Sequence, residues 1–176
     1  TALHYAAEHA NSDIFNKLIA SGADINAQTL KGGHTVLHFA TKARAADIVK
    51  TILNTGFNVD AEDNRGRTAL HYTTSADVLR MLIEAGGNID AKDKDGLTPL
   101  HLVAANDLVN LIPVYINAEA DIYAIDKAGK TPHNYAVAKG HQSALEALYA
   151  HNTAEDDYTN FELFKIFVDR CYHRND

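Results

Sequence analysis

The sequence predicts an all-α solenoid, and three observations predict it. A Thr-x-Leu-His motif returns as TALHY at Thr1, TVLHF at Thr35, TALHY at Thr68 and TPLHL at Thr98, with a degenerate TPHN at Thr131. The starts lie 34, 33, 30 and 33 residues apart, a period that signals stacked repeats. Two further markers travel with the motif in fixed order. They are ASGADINA, NTGFNVDA, EAGGNIDA and NAEADIYA around Gly22, Gly56, Gly86 and Glu119, then the turns DNRGRT, DKDGLT and DKAGKT. Helix signals recur at fixed places within the unit, so each repeat reads as helix-turn-helix.

The third unit shows why. Thr68 is a good N-cap, since its hydroxyl can accept an amide proton that the first helical turn leaves orphaned. Pro99 and Pro132 follow the threonine in two other units, at the first helical position, where a missing N–H is harmless. Val78, Leu79, Leu82 and Ile83 then give the second helix one apolar face. Gly86 supplies a left-handed stop. Gly66, Gly96 and Gly129 mark tight turns before the next start. One unit cannot bury its apolar face alone, so stacking is obligatory.

These motifs resemble the ankyrin-repeat family over about residues 1–152, with repeats starting near residues 1, 35, 68, 98 and 131. The resemblance implies a β-turn finger followed by two antiparallel helices, stacked into a curved solenoid. It is specific for fold and silent on partner.

Deviations from the repeat carry expectations of their own. The unit from Thr68 is three residues short between its helices, which predicts a truncated first helix and a dented surface. The first unit carries an extra finger residue in QTLKGGHT, which exposes Leu30 or tucks it against the next turn. Pro113 would break a helix begun at Asp107, so a start near Asn110 is expected. His133 and Asn134 replace the Leu and His of the motif, as suits a terminal repeat. Residues 153–176 read as an acidic linker and a C-terminal amphipathic helix. Thr159 and Glu162 form a capping box, and Phe161, Phe164, Val168 and Cys171 form an apolar stripe. That helix is expected to cap the stack or to link it to a further segment. The chain opens inside a motif without an initiator Met, which reads as a piece of a longer protein with further ankyrin repeats upstream.

Composition narrows the function classes. With 46% hydrophobic and 22% charged residues among 176, the chain reads as folded and soluble. A net charge of -7 argues against general nucleic-acid binding. The single cysteine excludes an internal disulfide framework and any multi-cysteine zinc site. No run approaches the roughly 18 apolar residues of a membrane span, and no signal-peptide pattern is read in these residues. The compartment stays open, with the cytoplasm slightly favoured.

The recurrent histidines could mean metal, catalysis or a structural bond. Metal ligands must converge within about 2 Å of one ion, whereas His4, His38, His71 and His101 sit in units stacked ~10 Å apart. No HExxH, recurrent nucleophile or phosphate-binding glycine loop accompanies them. The structural reading needs only a bond back to the threonine and a second bond toward the adjoining unit. The family resemblance implies the same. His9, His141 and His151 fall at loops or helix ends and read as solvated. Tyr5, Phe39, Tyr72, Leu102 and Tyr135 share one repeat position and read as core between repeats. The repeated Asp63, Asp93 and Asp126 read as turn formers.

The expected function is a non-enzymatic protein-recognition module, a scaffold or adaptor without cofactor. The alternative is an architectural spacer within a large toxin, channel or scaffold protein. By the resemblance, contacts fall on finger tips: Thr29, Leu30, Lys31, Asn64, Arg65, Arg67, Lys94, Asp95, Leu97, Lys127 and Lys130. At the ends of the first helices they fall on Glu8, His9, Lys42, Ala43, Ser75 and Asn106. The tips are basic on an acidic chain, so the expected partner presents an acidic segment.

Overall fold

The computed structural model describes residues 1–150. The acidic stretch, capping box, apolar stripe and His151 lie outside the described residues. Unit one contributes α1 (Ala2–Glu8) and α2 (Ser12–Ala20), and unit two α3 (Val36–Lys42) and α4 (Ala46–Leu53). Unit three has a single 3-10 turn, Ala69–Tyr72, followed by α5 (Ala76–Glu84). Unit four has α6 (Pro99–Ala105) and a 3-10 turn, Val109–Leu111, that runs into α7 (Ile112–Asn117). Unit five has α8 (Pro132–Lys139) and α9 (Gln142–Tyr149), and no strand occurs among the described residues.

Two layers result. The inner row packs α1 on α3, α3 on the short turn of unit three, that turn on α6, and α6 on α8. The outer row packs α2, α4, α5, α7 and α9 in sequence. The leucine of each motif is buried between neighbours: Leu3, Leu37, Leu70 and Leu100 are at most 2% exposed. Burying such a side chain is worth about 1.5–3 kcal/mol, and adjoining units supply the cover. The aromatic position beside the histidine is only partly core, short of the sequence reading. Tyr5 is exposed, and Phe39, Tyr72, Leu102 and Tyr135 are half-buried. Phe39 packs against the core, while the Tyr72 and Tyr135 hydroxyls reach polar partners described below.

The link between inner and outer helix needs one left-handed residue. Ala10, Arg44, Asp107 and Gly140 supply it, at φ 51°, 58°, 53° and 70°. The shortened unit three has none. Thr73 and Ser75 are extended instead, so the deletion removes both the last helical turn and its joint. This is the truncation the sequence predicts. The extra finger residue of unit one leaves Leu30 fully exposed. Pro113 sits in the first turn of α7, as a late start requires.

Candidate protein-interaction surface

The histidines of the motif build the scaffold on which this surface stands. In units two, three and four the threonine N–H donates to the imidazole Nδ1 of the same unit, at 3.0 Å for Thr35, 3.1 Å for Thr68 and 3.0 Å for Thr98. An N–H aimed at Nδ1 requires that nitrogen to be unprotonated, so the ring proton sits on Nε2. That proton bonds the carbonyl of the residue just before the next threonine: Arg67 at 2.8 Å, Leu97 at 3.0 Å and Lys130 at 3.0 Å. Each histidine thus caps its own helix and ties its unit to the following one. Burial lowers the pKa of His38, His71 and His101, against the opposing pull of those carbonyls.

The two ends of the row differ. His4 bonds Thr1 through Nδ1 at 2.9 Å, but its buried Nε2 has no hydrogen-bond partner. The carbonyls of Ala27 and His34 lie near enough to favour protonation without being placed to bond. The first finger, which follows His4, is the one that carries the extra residue. At the other end Asn134 takes the histidine's place, its Oδ1 accepting the Thr131 N–H at 2.9 Å. His141 is no solvated loop residue: it caps α9 and its Nε2 reaches the Ala105 carbonyl at 3.2 Å. No group of three His, Cys, Asp or Glu among the described residues is arranged to hold a metal.

The fingers are ordered by their aspartates. One oxygen of Asp63 accepts the amides of Arg65 and Arg67, and Asp93 and Asp126 repeat the pattern. The second oxygen takes a side chain. Tyr72 donates to Asp63 at 2.5 Å and Tyr135 to Asp126 at 2.6 Å. Unit four has Leu102 where a phenol would stand, and there Arg67 of the preceding finger reaches Asp93 through Nε at 2.9 Å. Burial raises the Asp63 carboxyl, but the bonds from Tyr72, Arg67 and Arg65 outweigh it and hold the pKa below the usual range. The Tyr135 hydroxyl and the Lys130 amide do the same for Asp126. Tyr72, through burial and Asp63, and Tyr135, through Asp126 and burial, are pushed up to about 12.

Successive fingers are joined edge to edge by single backbone bonds. Asn64 donates to the Gly32 carbonyl and Lys94 to Arg65, each at 2.8 Å, and Lys127 to Asp95 at 3.0 Å. Gly96, at φ 84°, permits that approach, since a Cβ there would stand 2.9 Å from the Lys127 nitrogen.

This framework sorts the residues expected to make contacts. Leu30, Lys31, Asn64, Arg65, Lys94, Asp95, Lys127 and Lys130 are exposed along the finger edge. Lys31, Arg65, Lys94 and Lys127 enter no ion pair among the described residues. Lys130 lies 5.9 Å from the centre of the Tyr135 ring. Two residues are corrected. Leu97 is buried, its carbonyl accepting His71, and Arg67 is mostly covered and bonded to Asp93. Both hold units together and do not present a tip. At the inner helix ends Glu8, His9, Lys42 and Asn106 are exposed, while Ala43 and Ser75 are half-buried. His9 stacks on Tyr5 with ring centres 4.1 Å apart.

The structure adds a notch beside the shortened turn of unit three, lined by Lys42, Arg67, Tyr72, Leu102, Val103 and Leu108 among others. The sequence signalled the dent but not its lining, because those residues come from three units. The phenol–aspartate pairs also escaped notice. Their signal was the nine-residue spacing of Asp63 to Tyr72 and Asp126 to Tyr135.

None of the described helices is long and apolar enough to cross a membrane. A family model described as "Ankyrin repeats (3 copies)" matches residues 3–93 and 73–160. No curated protein matches the chain. The repeat period, the paired fingers, the capping histidines and this match over most of the length agree: the chain belongs to the ankyrin-repeat family.

Proposed function

We propose that this array recognises an acidic segment of a protein partner along its finger edge. Ankyrin repeats are protein-interaction modules of generally non-enzymatic character. The observation that carries the finer reading is the exposed row Lys31, Arg65, Lys94, Lys127 and Lys130 on a chain of net charge -7. Such a patch steers and selects an oppositely charged surface. Asp95 and the flanking Glu62 are the exposed acids beside it.

The test compares capture from an extract of the source organism by the parent chain and by a variant with Lys31, Arg65, Lys94 and Lys127 all changed to Glu. A protein retained by the parent and lost by the variant supports the reading, provided salt also weakens the parent's hold. Equal capture by both overturns it.

A second reading, as an architectural spacer with a further repeat ahead of unit one, is favoured by one surface. Ile14 is 51% exposed, whereas Ile48 and Val78 at the same repeat position are fully buried. Ala2 is exposed where Val36 is covered. On this reading, fusing a copy of residues 35–67 ahead of Thr1 raises the melting temperature. An unchanged value counts against it.

A further inference from the structure

The deletion in unit three does more than shorten a helix. With the inner element of that unit reduced to Ala69–Tyr72, the face between α3 and α6 is left as a notch of about 440 Å³. Leu102, Val103, Leu108 and the Tyr72 ring give it an apolar lining. Its cations are Lys42 and Arg67, and no carboxylate lines it. Lys42 is exposed and enters no ion pair among the described residues. Arg67 binds Asp93 through Nε, and its terminal amino groups have no other protein acceptor there. An unpaired Lys42 thus stands over an apolar recess beside Arg67, whose ion pair with Asp93 leaves its terminal amino groups unbonded among the described residues.

The recess is also held open. The Arg44 Nε donates to the Thr74 hydroxyl at 2.9 Å from the unit before, and Tyr115 holds the Leu70 carbonyl at 3.1 Å from the unit after. The short turn and the extended link after it are thus each held by a bond from a neighbouring unit.

We propose that this notch is the anchor pocket for a peptide segment that presents one leucine- or phenylalanine-sized side chain beside carboxylates. The apolar lining takes the side chain, and Lys42 takes the carboxylates, helped by the Arg67 amino groups that Asp93 leaves unbonded. A desolvated apolar anchor within a charged rim is the arrangement that concentrates binding energy in a few contacts. The acidity of the segment rests on the finger-edge reading, and the apolar anchor is added to it.

The test uses the whole chain and short fluorescein-labelled peptides of Glu, Ser and Gly whose central residue is Leu, Phe, Ala or Lys. A fifth peptide carries central Leu with Gln in place of every Glu. Anisotropy is expected to show the Leu or Phe peptide binding about tenfold or more tighter than the Ala peptide. The Lys and Gln peptides are expected to bind more weakly than either. Asn106→Trp, at the exposed rim, is expected to abolish the preference for Leu over Ala. Lys42→Glu should weaken every acidic peptide, with melting curves confirming that both variants fold. If the Ala and Leu peptides bind alike while finger reversals weaken both, the notch proposal falls and the finger reading stands. If finger reversal leaves the affinities and the Leu preference unchanged while Asn106→Trp abolishes that preference, the notch stands and the finger reading falls. Absence of binding by any peptide overturns both.

Discussion

The hydroxyl of Tyr115 donates to the carbonyl of Leu70 across 3.1 Å, from the outer helix of unit four to the shortened turn of unit three. A helix that stops early leaves its last carbonyls short of intrahelical partners, and Leu70 keeps only a long 3.4 Å bond from the Thr73 N–H beside the phenol. Tyr115 is fully buried, and burial raises its pKa, so the phenol stays a neutral donor. Tyr115→Phe keeps the packing and removes the bond. It is expected to lower stability by about 1–3 kcal/mol in urea unfolding. No change in midpoint would show that Leu70 is satisfied elsewhere.

The histidine row predicts a graded series of losses. His71→Ala strands the buried Thr68 N–H and removes the bond that ties unit three to the Leu97 carbonyl, which keeps only the Asp93 N–H, and should lower stability by about 1–3 kcal/mol. His4→Ala removes a ring whose Nε2 already lacks a partner, so its loss should be smaller. The same unfolding curves decide the order. A larger loss for His4 would contradict the account.

Acid should loosen the stack in two steps. The folded pKa values of His38, His71 and His101 lie below the ordinary 6.5, so the unfolded chain binds their protons first. Stability is therefore complete above about pH 6.5 and falls as pH drops toward the folded values. The slope is up to about 1.4 kcal/mol per pH unit for each histidine. Asp63 and Asp126 act lower, since their depressed values add stability that fades only below the ordinary 3.8. His71→Asn, copying the role of Asn134, should flatten the first step in melting temperature against pH. An unaltered slope would remove His71 from it.

Glu119 occupies the place of Gly22, Gly56 and Gly86 and is forced to φ 62°. A side chain in that left-handed region is strained by about 1 kcal/mol or more. Glu119→Gly should raise stability by about 1 kcal/mol, read as a higher urea midpoint at unchanged slope. A downward shift would mean that Glu119 makes a contact worth more than the strain.

The sequence carried the fold because each unit repeats its own local signals. Thr68 caps, Pro99 opens a helix and Gly86 ends one, all within a few residues. The three-residue gap before Ser75 and the late start before Pro113 were readable for the same reason. What escaped were relations between units. Tyr72 and Tyr135 read as apolar core because their partners, Asp63 and Asp126, sit in the fingers nine residues earlier. Leu97 and Arg67 read as tips from their loop positions, yet the His71 bond covers one and Asp93 engages the other. The notch was visible only as missing residues, since Lys42 and Leu108 reach it from opposite sides.

The central claim is that the recurrent histidines are neutral links between repeats and not reagents. Imidazole nitrogen NMR on the whole chain near neutral pH tests it most directly. The account predicts that His38, His71 and His101 each show an unprotonated Nδ1 and a protonated, hydrogen-bonded Nε2, unchanged by a chelator. A proton on Nδ1, or a chelator-sensitive shift at any of the three, would contradict it.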